Sequence, residues 1–79
     1  MSRYILGLMV INHHALKALR ERSGYTIRGL AEASGVSKST ISAAEQGERN
    51  PSPSAIKKLA EALAVPTVAL LKHLDEIAS

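Results

Sequence analysis

The sequence predicts an all-α domain of five short helices, and three observations lead there. Apolar residues recur at helical spacing through most of the chain, as in Ile27, Leu30 and Ala31 or Ile56, Leu59, Ala60 and Leu63. Each such stretch is preceded by Asn, Ser or Thr and closed by Gly or Pro, the residue types that cap and stop helices. Finally, the 79 residues are 46% hydrophobic but only 3% aromatic, with no Phe, Trp or Cys. Small aliphatic side chains suit close helix packing, and without disulfides or thiolate metal sites the fold must rest on packing alone.

Asn12 caps the first helix, His13 to about Ser23, with Leu16 and Leu19 inward and Gly24 as its stop. Thr26 caps the second, which runs to Ser34 before Gly35 turns left-handed. Ser37 caps the third, Lys38 to Gln46, which buries Ile41 and Ala44 and ends at Gly47. Glu48 to Ser52 is a loop. Ser52 followed by Pro53 opens the fourth helix, to about Ala64, because proline at the first helical position forgoes an N–H that has no partner there anyway. Pro66 breaks the chain, and Thr67 caps a fifth helix carrying Val68, Leu71, Leu74 and Ile77. The segment Ile5 to Ile11 lacks helical periodicity and reads as a strand, for which a second copy of the chain can supply the partner. The organisation is therefore an N-terminal arm, 1–11, and a helical domain, 12–79.

The net charge of +3 is unevenly spread: Met1 to Lys58 holds nine basic and four acidic residues, Leu59 to Ser79 one basic and three acidic. A polyanion would meet the first three-quarters of the chain; ordinary surface solubility is the plain alternative. The longest apolar stretch, Tyr4 to Ile11, is well short of the roughly 20 residues that span a membrane, and it lacks the small-residue cleavage site of a secretory signal. A soluble cytoplasmic protein is the expectation.

Between Ile27 and Gln46 two short helices meet at a turn that opens with glycine. Ala31 permits a close crossing, Gly35 takes the left-handed position, and Val36 and Ile41 seal the corner beneath, leaving one helix exposed. The ordered series Leu30-Ala31-Glu32, Gly35-Val36-Ser37, Ser39-Thr40-Ile41-Ser42, Glu45-Gln46-Gly47, Asn50-Pro51 and Leu59-Ala60-Glu61-Ala62-Leu63 resembles the helix-turn-helix family of phage Cro and cI-type repressors and their bacterial relatives. The likeness covers Asn12 to about Leu74.

That resemblance implies a lambda-repressor-like DNA-binding domain, acting as a homodimeric regulator, plausibly phage-encoded, on a pseudo-palindromic double-stranded operator. It assigns Lys38, Ser39, Ser42 and Ala43 to base edges. Lys38 has the reach to donate to guanine O6 and N7, and the Ala43 methyl suits a thymine methyl; the plain alternatives are a phosphate contact for Lys38 and mere clearance for the small residues. Phosphate contacts fall to Thr26, Arg28, Ser37, Thr40, Arg49 and Asn50, from helix N-termini and nearby cations. Where the family often has Gln, just after the Thr26 position, this chain has Ile27, and Arg28 is the substitute. Arg20 and Glu45 occupy the family's positions for an ion pair between the first and third helices. The family also dimerises through the last helix, so the homodimer is expected through that helix, the arm, or both; packing of the arm back on its own fifth helix is the alternative to strand exchange.

No phosphate loop or nucleophile elbow is present, and an enzyme is not expected. Asp75 and Glu76 are too close in sequence to face each other across a substrate. His13, His14 and His73 make no metal set, surface or capping roles being their natural reading, and no cofactor is implied. Two rival functions use the same module: an antitoxin that buries its apolar arm against a toxin, and a protein-interaction adaptor whose DNA contact is incidental.

Overall fold

The computed structural model describes residues 9–73. Four α-helices follow in order: α1 His13–Arg22, α2 Ile27–Ser34, α3 Lys38–Glu45 and α4 Pro53–Leu63. Each begins at a side-chain cap. Asn12, Thr26, Ser37 and Ser52 accept from the backbone N–H three residues on, at Ala15, Gly29, Thr40 and Ala55 respectively. The helix ends follow an equally local chemistry. After α1 and α3, Gly24 and Gly47 take positive φ, and the next residue donates back five positions, Tyr25 to Arg20 and Glu48 to Ala43. The same turn closes α4, where Val65 donates to the Ala60 carbonyl, but the left-handed position is held by Ala64 at φ 58°.

An L-residue with a Cβ pays about 1 kcal/mol or more for that conformation. The Ala64 side chain is exposed and recovers nothing by burial. Ala64→Gly is therefore expected to stabilise the domain by about 1 kcal/mol, after allowing for the greater freedom of glycine in the unfolded chain, and denaturant titration will measure it.

The core gathers Leu16 from α1, Leu30 from α2, Ile41 and Ala44 from α3, and Ile56, Leu59, Ala60 and Leu63 from α4, with Val36 at the turn between α2 and α3. Helix α2 packs on α3 and α4, while α1 packs on α3 and on the turn Thr67–Leu70. Fully burying each Leu or Ile side chain contributes about 1.5 to 3 kcal/mol, which is how a core without Phe or Trp holds.

The fifth helix differs from the sequence expectation. Thr67–Leu70 forms one 3-10 turn with no side-chain cap, Leu70 is fully buried, and Val68 is 63% exposed. The chain then straightens at Leu71, which forms an antiparallel bridge with Ile11. Flanking hydrogen bonds run from Asn12 N–H to the Leu70 carbonyl, 2.7 Å, and from Lys72 N–H to the Val10 carbonyl, 2.9 Å. Pairing with a distant segment satisfies the backbone groups that a continued helix would have satisfied internally, so the helix ends after one turn. The extended partner proposed for the arm's last residue thus lies in the same chain at Leu71, and Ile11, assigned to the arm, is buried with the core. The rest of the arm, residues 1–8, and the end of the fifth helix, including Leu74 and Ile77, lie outside the described residues. Among the described residues no helix is long and apolar enough to cross a membrane, and no three His, Asp or Glu gather as a metal site.

Candidate nucleic-acid interface

Helices α2 and α3 are eight residues each and meet through Gly35, φ 80°, whose N–H returns to the Ala31 carbonyl. Val36 and Ile41 are buried beneath the corner. What remains outward on α3 is Lys38 and Ser39, both exposed, followed by half-buried Ser42 and Ala43. The four base-contact candidates therefore share the outer side of one short helix, with the long, charged side chain at its start.

Four of the six phosphate candidates line two shallow grooves beside that helix. Arg28, Ser37 and Lys38 line the first, along the α2–α3 turn, together with Glu32. Thr40 and Arg49 line the second, on the other side of Val36. Thr26 is exposed at the start of α2, and its hydroxyl accepts from Gly29 N–H at 2.9 Å. Ser37 accepts from Thr40 N–H at 3.2 Å and gives its one proton to Thr40 Oγ1 at 2.8 Å. Thr40 keeps its own hydroxyl proton for an outside acceptor. Asn50 stands apart: its side chain is bonded to the backbone of Met9 and Ile11.

The second groove also holds Ser52, Ser54 and Lys58, which sequence reasoning did not place there. Ser52 signals a helix cap in sequence, and Lys58 lies on a helix whose periodicity marks only its inward face. The available signal was that Lys57 and Lys58 close the basic part of the chain.

Two contacts from α1 fix the far end of α3. Arg20 and Glu45 form a bidentate pair, Nε to Oε2 at 2.6 Å and Nη2 to Oε1 at 3.0 Å, and Arg20 Nη1 also donates to the Tyr25 carbonyl at 2.8 Å. The two side chains are only 11% and 6% exposed, so the pair is not a solvated surface bridge. Hydrogen bonding to Glu45, opposed by burial, raises the Arg20 pKa above its ordinary value, so the guanidinium stays charged at any working pH. His13 Nδ1 donates to the Glu45 carbonyl at 3.3 Å, and its ring packs against Gly47, where a Cβ would meet it at 3.4 Å. Helix α3 is thus clamped by side chain and by backbone, which gives its outer face one orientation.

A capped helix pair joined by a left-handed glycine, buried on one face and bearing lysine, serine and flanking cations on the other, defines a helix-turn-helix unit. Residues 16–70 match the family model described as Helix-turn-helix, and the chain belongs to that family. It is 51% identical over 57 residues to the HTH-type transcriptional repressor RghR of Bacillus subtilis, a stretch that covers 71% of this chain and 42% of RghR. The chain thus spans less than half the length of that relative. Among solved structures, the restriction-modification controller protein C.AhdI from Aeromonas hydrophila aligns with a TM-score of 0.71 at 36% identity, over 75% of this chain and 89% of its own. SinR, described as the master regulator for biofilm formation and solved in complex with DNA, aligns with a TM-score of 0.72 at 34% identity, over 76% of this chain and all of its own.

Proposed function

We propose that this protein is a non-enzymatic transcriptional repressor that binds a pseudo-palindromic operator as a homodimer, with α3 of each copy in successive major grooves about 34 to 36 Å apart. The observation that carries the reading is the clamped α3, with Lys38, Ser39, Ser42 and Ala43 on its outer side and two grooves lined by cations and hydroxyls that share Gly35 and Val36 at its start. Lys38 reads a base edge, while Thr26, Arg28, Ser37, Thr40, Arg49 and Lys58 hold the backbone, Ser37 through the start of α3. A face this poor in Arg, Asn and Gln leaves much of the selectivity to DNA shape. The SinR relative is described in complex with DNA and RghR as a repressor, which supports DNA binding and repression. Exposed Val68 beside half-buried Leu71 supports a second copy seated on the final turn. The setting is the bacterial cytoplasm.

Selection of bound sequences from random duplex DNA at physiological salt, with the protein's mass measured in parallel, tests this. Enrichment of an inverted repeat by a dimer is the expected result. The absence of any enriched sequence, at lower salt as well, would sink the operator reading in favour of a partner-dependent antitoxin or adaptor.

A further inference from the structure

We infer that Asn50 is a positioning residue for DNA-backbone binding: it straps the α3–α4 loop to the Met9–Ile11 segment and so presents Arg49 to a phosphate. This rests on the operator-binding reading above. The Asn50 amide oxygen accepts from Ile11 N–H at 2.8 Å, and its nitrogen donates to the Met9 carbonyl at 3.2 Å. One amide thereby bonds the donor of one residue and the acceptor of the residue two before it, the pattern a neighbouring strand would use. The segment it grips is itself fixed, because Ile11 is buried in the core and bridged to Leu71. Arg49, the adjacent residue, is exposed and borders both the cleft shared with Ile11 and Lys72 and the groove shared with Thr40 and Lys58. A loop held at its neighbour leaves the arginine less freedom to lose on binding. The strap uses the amide oxygen and one of the two amide hydrogens of Asn50.

The test uses the full chain, a duplex carrying the selected site and a random-sequence duplex, with affinity measured over a salt series for the wild type, Asn50→Ala, Arg49→Ala and the double variant. Asn50→Ala is expected to flatten the dependence of log affinity on log salt by about 0.9, the value of one phosphate contact, although it removes no charge. The double variant is expected to match Arg49→Ala alone. Unchanged salt slope, additive losses, or a lowered melting temperature with unchanged affinity would each overturn the inference. Should Asn50→Ala not fold, Asn50→Gln, which keeps a neutral amide one methylene further out, takes its place with the same readings. A wild type that prefers no sequence overturns the operator reading alone, since the salt slopes on random duplex still decide the role of Asn50.

Discussion

Replacing Glu45 with alanine is expected to cost the domain about 3 to 5 kcal/mol, a large fraction of the 5 to 15 kcal/mol typical of a small domain. The magnitude comes from what is left behind. Arg20 is charged, 11% exposed, and loses two of its three hydrogen-bond partners, while the protein gains no compensating apolar contact. Urea denaturation followed by circular dichroism measures the loss, and a variant within about 1 kcal/mol of the wild type would place the pair among solvated surface bridges. Replacing both partners with apolar residues, Arg20→Met with Glu45→Leu, is expected to recover most of the stability, because buried pairs often gain little over a well-packed hydrophobic isostere. The pair's value then lies in orientation: the double variant folds, yet α3 has lost the bidentate fork that sets its angle to α1.

The second large effect is on binding. Lys38→Ala is expected to reduce affinity for the selected site by about 1 to 3 kcal/mol, on the order of 10- to 100-fold, with a much smaller loss on random duplex. Lys38 is exposed at the first position of α3, so stability should move by no more than about 0.5 kcal/mol. Parallel titrations of the two duplexes separate the roles. Equal losses on both would reduce Lys38 to a backbone contact and leave shape as the main source of selectivity.

The features legible in the sequence were those with local causes. Asn12, Thr26, Ser37 and Ser52 act within three residues, and Gly24, Gly35 and Gly47 act at their own φ, so four helices could be placed to within a residue or so. The inward residues Leu16, Leu30, Ile41, Ile56 and Leu59 followed from periodicity alone. The fifth helix was not legible, because Val68 and Leu71 fit a helical pattern and nothing local reveals that Leu71 will pair with Ile11. The strap from Asn50 spans 39 residues and the His13 cap on Glu45 spans 32, distances at which a single sequence carries no register. Arg20 and Glu45 were matched only through the family resemblance; neither residue by itself signals a partner 25 positions away.

The Ile11–Leu71 bridge makes the described chain a closed ring with a seam. Its contacts join segments at opposite ends of the described chain and so bring the greatest loop-closure cost, which makes them a place for the ring to part before the helices melt even though Ile11 is buried in the core. Asn50 is sewn to the same seam. Opening at the ends would therefore slacken a loop beside the recognition helix, and the amides of Asn12 and Lys72 would exchange their protons ahead of the helical core, reporting that event separately from unfolding.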